Sequence, residues 1–351
     1  MEGNKRRALA LLSGGLDSSL AIKLVQEQGI EVKALHFYTG FCITEFKRRT
    51  GQTKEDGTPY VNPALKAAAQ LQVPLEIVDI SDEYYHIVIN PKYGYGRNVN
   101  PCIDCRIMML RKAKEIMEKE GYDFIVTGEV LYQRSMSQTP QKLRLIEKEA
   151  GLEGLILRPL SAKLLPPTIP EKEGWVDRSK LLGIKGRGRK VQIKLAEKYG
   201  LDYEQPAGGC CYLTDETYAA RFKEAYAVEG IITRDDLILF AVGRHLRLPS
   251  GTKLIIARNE GEVNFLKGFR NKFGYAYRKD GKGTFALIKG EPPEEELKLI
   301  ADLIARYSKK EPARVVINLK GKEIELLGTP IEDQLIDQFK IYARKEASHG
   351  R

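Results

Sequence analysis

Two groups of residues in this chain have the types and spacing to do chemistry. The first is the run Leu11-Leu12-Ser13-Gly14-Gly15-Leu16-Asp17-Ser18-Ser19. Paired glycines let a backbone approach a phosphate closely. Hydroxyls at Ser13 and Ser18 can donate to it, and a helix opening here would aim free N–H groups and its positive dipole end at an anion. The run has no lysine, so it is not a Walker-type loop. Asp17 would repel phosphate on its own; it fits as a Mg²⁺ ligand or as support for one. The plainer reading is a Gly-Gly turn with an Asp-Ser helix cap. The complete S-G-G-x-D-S-S between a strand and a helix favours phosphate binding.

The second group is thiol. The chain has five cysteines: Cys42, Cys102, Cys105, Cys210 and Cys211. In a reducing compartment an odd count with a C-x-x-C points to metal or redox chemistry, not to a disulfide framework. The C-x-x-C at Cys102 and Cys105 lets two sulfurs reach one centre, with a helix expected to begin directly after it at Arg106. A distant third thiolate would complete a three-cysteine set. Cys210 is preferred to Cys211 for this role, because Gly208-Gly209 free its backbone. Four-coordinate zinc on Cys102, Cys105, Cys210 and Cys211 is the structural alternative, at the cost of strain between adjacent ligands. Cys42 belongs to no motif and is expected to be a small buried residue.

These residues need elements to hold them. Apolar strands fit Ala8 to Leu12, Val32 to Tyr38, Leu75 to Ile80 and Phe124 to Thr127. Helical spacing fits Ser19 to Gln28, Pro63 to Leu71, Arg106 to Lys119 and Val191 to Tyr199. Alternation of this kind predicts an α/β fold, a doubly wound parallel sheet with ligands beyond the carboxyl ends of its strands. From about Asp236 the pattern turns α+β. Strands are expected at Leu237 to Val242, Lys253 to Arg258, Thr284 to Lys289 and Ala313 to Leu319, with a helix at Glu294 to Tyr307 and a hairpin turn at Lys320-Gly321-Lys322. The expected division is 1–175 for the nucleotide domain, 176–235 for a basic, helical, cysteine-bearing extension, and 236–351 for an α+β domain.

Composition bounds the rest. The 351 residues are 42% hydrophobic, enough for real cores. No apolar run approaches the ~18 residues a membrane helix needs, and the N-terminus lacks a secretory h-region, so a cytoplasmic protein with no membrane partner is expected. A net charge of +10 and a pI near 9.1 suit a polyanionic partner. The segment Lys185-Gly186-Arg187-Gly188-Arg189-Lys190 has four cations in six residues and reads either as a phosphate contact or as a solvated loop.

S-G-G-L-D-S-S resembles the signature of the PP-loop ATP pyrophosphatases (adenine nucleotide alpha hydrolase type). These cleave ATP between the α and β phosphates and adenylate a substrate oxygen. The series Thr127-Gly128-Glu129, Gln133, Ser137-Gln138-Thr139 and Leu157-Arg158-Pro159-Leu160 resembles the bacterial tRNA 4-thiouridine synthetase family, with one residue more between Gln133 and Ser137 than that family's pattern. The N-P-C-x-x-C neighbourhood is also similar to the 2-thiouridine synthetase family, where cysteines at similar places form a persulfide and its resolving partner. The stretches Val242 to Leu248 and Ile256 to Glu260 resemble the RNA-binding module of NFACT proteins, which would cover roughly residues 236–330. The 4-thiouridine family carries an N-terminal THUMP domain for tRNA, whereas this chain begins at its first strand, so tRNA capture is expected to fall to the C-terminal domain, Arg244 and Arg247 included.

What the resemblance implies is an ATP-dependent tRNA uridine thiolase. Ser13, Gly14, Gly15, Asp17, Ser18 and Ser19 would bind ATP and Mg²⁺, with His36, Thr127, Gly128, Glu129 and Gln133 completing the pocket. Cys102, Cys105 and Cys210 would carry a [4Fe-4S] cluster that delivers sulfur; the alternatives are a persulfide enzyme and a sulfurtransferase or amidoligase acting on a small molecule. The partners implied are tRNA and a sulfur donor (sulfide, a cysteine desulfurase or a sulfur carrier), with a homodimer left open. Whether the 2- or 4-oxygen is replaced stays open.

Overall fold

The structure is a computed structural model that describes residues 5–203, 211–280, 283–309 and 311–342. The chain divides into two compact units, one of Met1–Glu45 and Tyr60–Cys211, the other of Phe46–Pro59 and Tyr212–Arg351.

In the first unit the order is β1 (Arg7–Leu11), α1 (Leu16–Gln26), β2 (Glu31–Tyr38), α2 (Ile43–Arg49, within which the chain enters the second unit), α3 (Pro63–Leu71), β3 (Leu75–Asp79), α4 (Ser81–Ile89), α5 (Cys102–Glu120), β4 (Phe124–Val126), α6 (Pro140–Ala150), β5 (Ile156–Leu157), α7 (Ile169–Lys172) and α8 (Lys190–Tyr199). The strands form a parallel sheet in the order β3-β2-β1-β4-β5. This is the expected doubly wound α/β architecture. Strand order reverses at β1, so the switch point lies between the carboxyl ends of β1 and β4, where such sheets bind ligands. Ala8, Ala10, Phe124 and Val126 are buried with Ile22 and Val25 of α1 and Ala64 and Ala68 of α3 in the core beneath it.

One boundary differs from expectation. The helix expected to open at Arg106 opens at Cys102, so both cysteines lie in the first turn of α5. Pro101 supplies the first carbonyl, accepting from Cys105 N at 2.9 Å. Asp104, in the same turn, is buried and accepts the backbone N–H groups of Lys92 (3.0 Å) and Tyr93 (3.1 Å), which ties the helix start to the preceding loop.

The second unit has α9 (Glu216–Glu229), α10 (Arg234–Leu239), β6 (Arg244–Arg247), β7 (Lys253–Ile256), α11 (Glu260–Lys267), β8 (Gly274–Arg278), β9 (Phe285–Lys289), α12 (Glu294–Ser308), β10 (Ala313–Leu319), β11 (Lys322–Gly328) and α13 (Asp333–Asp337). Its six-stranded sheet runs β11-β10-β8-β9-β7-β6 with antiparallel neighbours. The β10–β11 turn falls at Lys320 and Gly321 as read, both with positive φ (52° and 85°), which suits a tight hairpin. The strand expected at Leu237 to Val242 is instead the end of α10 and the turn after it. A capping box decides this: Thr233 Oγ1 accepts from Asp236 N (3.2 Å) and Asp236 Oδ2 accepts from Thr233 N (2.9 Å), which outweighs the β propensity of the apolar run.

Candidate active site

The S-G-G-L-D-S-S run joins β1 to α1, as the strand-loop-helix reading requires. Gly14 has φ +81°, and a Cβ there would stand 2.3 Å from the Pro63 carbonyl carbon, so only glycine fits where α3 begins. Gly15 caps α1 without a side-chain bond, which leaves the first-turn N–H groups for a ligand. Ser18 and Ser19 are buried and donate their hydroxyls to the Gly15 carbonyl (2.9 and 3.1 Å), so they hold the loop's shape. Ser13 is exposed, and its Oγ lies 3.2 Å from that of Ser18. His36 stands on β2 with Nδ1 3.0 Å from the Leu12 carbonyl, to which it donates; burial pushes its pKa down, so it braces the loop as a neutral ring.

The T-G-E stretch follows β4 across the switch point. A Cβ on Gly128 would meet Ser18 N at 2.5 Å and the Asp17 carbonyl carbon at 2.6 Å, so β4's end lies directly against the first turn of α1. Gln133 Nε2 donates to Asp17 Oδ2 at 2.8 Å, and Arg189 Nη2 is 3.8 Å from the same oxygen. Asp17 Oδ1 is buried and lacks a hydrogen-bond partner, a carboxylate oxygen that suits a divalent cation. Glu129 is buried. Burial favours its neutral form, but the charges of Arg158 and Arg106 outweigh this, and with hydrogen bonds from Arg158 (2.9 Å) and Thr127 (3.1 Å) they hold its carboxyl below the usual range. Arg158, from the L-R-P-L stretch, also pairs with Glu147. Ser137 and Gln138 are buried, and Gln138 accepts from Arg134 N (3.0 Å) and Tyr132 N (2.8 Å), so the S-Q-T stretch shapes this loop.

The thiols stand nearby. Arg106, next to Cys105, reaches Glu129 at 3.5 Å. A Cβ on Gly96 would lie 2.9 Å from Cys102 Sγ and 3.5 Å from Met136 Cβ, so the loop that begins at Gln133 extends to the sulfur. Burial pushes both thiols up, opposed at Cys102 by the Arg97 backbone and the charges of Arg134 and Arg106, and at Cys105 by a hydrogen bond from Tyr84. Tyr84 is itself raised, first by burial and then by the negative charge of Cys105, Cys211 and Cys102. Cys211 therefore belongs to this neighbourhood, and it pairs as an antiparallel bridge with Cys42. Cys42, without a motif in the sequence, is brought here by that pairing and by the neighbouring Phe41, whose ring lies 5.6 Å from that of Tyr84, and it is partly exposed, not buried as expected. Cys210 lies outside the described residues. Among the described residues no group of three His, Cys, Asp or Glu side chains is placed to hold a metal.

Arg134 is a residue the sequence reading passed over. Its side chain is exposed and makes no hydrogen bond or ion pair among the described residues, yet it stands deep enough among protein atoms for desolvation to lower its pKa. Both facts fit a side chain on a cleft wall. Arg106 lowers it further, while Cys102, Asp17 and Glu129 oppose, so one guanidinium feels both the sulfur and the nucleotide halves. Its only signal in the sequence was the extra residue between Gln133 and Ser137.

A phosphate-type loop at the switch point of a 3-2-1-4-5 parallel sheet places the first unit in the adenine nucleotide alpha hydrolase class. Comparison with known proteins goes further. The family described as Thiamine biosynthesis protein matches residues 3–163, and the NFACT protein RNA binding domain matches residues 243–339. A tRNA-specific 2-thiouridylase of Caldicellulosiruptor saccharolyticus is 30% identical over 320 residues, covering 86% of this chain and 78% of its own. Another, of Thermotoga petrophila, is 27% identical over 358 residues, covering 90% and 89%. The chain belongs to the ATP-dependent tRNA thiouridylase family of sulfurtransferases. A more distant likeness is the solved structure of a 4-thiouridine synthetase–RNA complex with bound ATP, 19% identical over 60% of this chain and 42% of that one, with a TM-score of 0.35. No helix among the described residues is long and apolar enough to cross a membrane.

Proposed function

We propose that this chain is a tRNA 2-thiouridylase that carries its sulfur as a cysteine persulfide. The observation that carries the reading is the placement of Cys102 and Cys105 in the first turn of α5, with Cys105 hydrogen-bonded to Tyr84, whose ring packs on Phe41 (5.6 Å) next to the Cys42–Cys211 β-bridge. The full-length relatives named as 2-thiouridylases support the choice of the 2-position.

The uridine carbonyl oxygen attacks the α-phosphorus of ATP, the bond to the β-phosphate oxygen breaks, and pyrophosphate leaves. Mg²⁺, for which Asp17 is the candidate ligand, supplies charge neutralisation on those phosphates. The first-turn N–H groups of α1 hold the pyrophosphate, and Gln133 keeps Asp17 oriented. The terminal sulfur of the persulfide then attacks the activated carbon, and AMP departs with the original oxygen. A second cysteine thiolate attacks the carrier sulfur, forming a disulfide and releasing the thiocarbonyl, and an external thiol reduces that disulfide. One thiol from Cys102 and Cys105 and one from Cys210 and Cys211 fill the carrier and resolving roles. The [4Fe-4S] alternative would draw on Cys102, Cys105 and Cys210.

Incubation of the full chain with tRNA, MgATP and a cysteine desulfurase tests this, with nucleoside mass spectrometry, peptide mapping and iron analysis. The expected result is 2-thiouridine, formed without iron, and a persulfide mapped to one of the four cysteines. Formation of 4-thiouridine, or turnover that requires iron and shows no persulfide, overturns it.

A further inference from the structure

Tyr132 holds a backbone conformation that bulky residues avoid. Its φ is +61°, in the left-handed region. Burial does not explain the strain, since the residue is 50% exposed. Strain of this kind clusters at functional sites, where neighbours fix it in place. Here the neighbours are explicit. Tyr132 N donates to the Gln138 carbonyl at 2.8 Å. On one side Gln133 is bonded to Asp17 of the phosphate loop. On the other, Leu131 pairs with Lys185 in a parallel bridge and its carbonyl accepts from Gly186 N at 2.7 Å. Tyr132 is therefore held between the nucleotide site and the start of the basic segment Lys185–Lys190.

In that segment Lys185, Arg187 and Lys190 are exposed, and none of their side chains makes a hydrogen bond or ion pair among the described residues. A solvated basic loop would ordinarily be unremarkable. This one is tied by backbone bonds to the residue beside a strained, exposed aromatic, and Arg189 places its guanidinium 3.8 Å from Asp17. Unpaired cations next to an exposed ring match single-stranded RNA: the cations neutralise phosphates and the ring stacks on an unpaired base.

We propose that Tyr132 and the segment Lys185–Lys190 form an RNA-contact face on the catalytic unit, with Tyr132 stacked on an unpaired base next to the target uridine and Lys185, Arg187 and Lys190 on backbone phosphates. The face is separate from residues 243–339, which match the RNA-binding family, and the proposal rests on the reading of tRNA as substrate. The C-terminal unit would capture the tRNA, and this face would seat the nucleotide to be modified.

The test uses the full chain and unmodified tRNA, with titrations at several salt concentrations. Tyr132→Gly relieves the backbone strain, so its melting temperature should not fall, yet tRNA affinity should drop about five- to hundredfold, whereas Tyr132→Phe should stay within about twofold. The triple variant Lys185→Ala, Arg187→Ala, Lys190→Ala should flatten the salt slope by about two units. Binding of MgATP in the absence of RNA should be unchanged in every variant. Wild-type affinity and slope in the Tyr132→Gly and triple variants, with the parent chain thiolating tRNA, overturn the face alone. Loss of MgATP binding in parallel with tRNA binding also overturns it, by assigning these residues to the nucleotide. A parent chain that thiolates no tRNA overturns the functional reading itself.

Discussion

At the scale of single residues, the site depends on charges that are buried and must stay paired. Arg158 and Glu129 are 4% and 2% exposed, with Arg106 and Glu147 as their outer partners. Arg158→Ala would leave Glu129 in the interior with one cation 3.5 Å away, and the expected loss is about 3–5 kcal/mol in a urea unfolding curve. Arg158→Lys should recover part of it. Because the folded pKa of Glu129 is depressed, its contribution is fully present above the unfolded carboxylate value of about 4.3 and is lost as pH falls through the folded one. Gln133 acts differently. Its amide orients Asp17, so Gln133→Ala should weaken Mg²⁺ affinity by about 10- to 100-fold and leave the melting temperature unchanged. An equal loss of stability would make Gln133 a packing residue. The phosphate loop was legible because its residue types carry their chemistry locally. Arg134 and Cys42 were not, because what makes them interesting is which distant segments they meet.

At the scale of elements, glycine contacts and helix caps decide the geometry. β4 and α1 converge only because residue 128 lacks a Cβ. Gly128→Ala places a methyl about 2.5 Å from backbone atoms of Asp17 and Ser18, which cannot rotate away as a side chain could. The first turn of α1 must shift, so ATP binding measured calorimetrically should fall sharply while the circular dichroism of the sheet persists. Tight ATP binding in this variant would show that the loop tolerates displacement. β6 and the turn after α10 are joined by buried His245, whose Nε2 lies 3.0 Å from the Leu239 carbonyl and 2.9 Å from that of Val242. Burial, with the charges of Arg221 and Lys253, pushes its pKa well below the ordinary value. The unfolded chain then binds the extra proton first. This stability is complete above pH ~6.5 and falls below it by up to about 1.4 kcal/mol per pH unit. Urea midpoints from pH 7.5 to 5 should show this slope, and His245→Phe should reduce it to the share left by buried His36. Periodicity located most elements, yet failed where a cap competed with it: Thr233 and Asp236 turned an apparent strand into a helix, and Pro101 moved a helix start back to Cys102.

At the scale of the whole molecule, the chain's route limits how it can be divided, and composition gives no hint of that route. The second unit takes Phe46–Pro59 from within the first unit's sequence. Phe46 packs against Tyr212 and Phe265, each with ring centroids 5.6 Å away, and a Cβ on Gly261 would stand 2.0 Å from the Thr50 carbonyl oxygen. Arg247, expected from sequence to meet RNA phosphate, is half-buried in this unit, with its guanidinium taken up by two carboxylates. It pairs with Glu224 at 2.7 Å and Glu229 at 2.9 Å, beside Lys253, whose burial pushes its pKa down to about 8. Arg247→Ala should therefore lower the unit's stability, and its salt slope for tRNA should match the wild type once the protein is folded. The same logic governs truncation. A chain ending at residue 211 keeps the whole parallel sheet and the phosphate loop, but it strands residues 46–59 without Tyr212, Phe265 and Gly261. Hydrogen exchange should then show protection lost in 46–59 and retained in β1, β2 and β4, with MgATP still bound. Replacing 46–59 by a short Gly-Ser linker in that truncated chain should leave MgATP binding and the protection of β1, β2 and β4 unchanged, because the segment is polar apart from Phe46 and Pro59 and adds nothing to the first unit's core. If 46–59 stays protected after truncation, its ordering comes from the first unit, and the two-segment construction of the second unit is wrong.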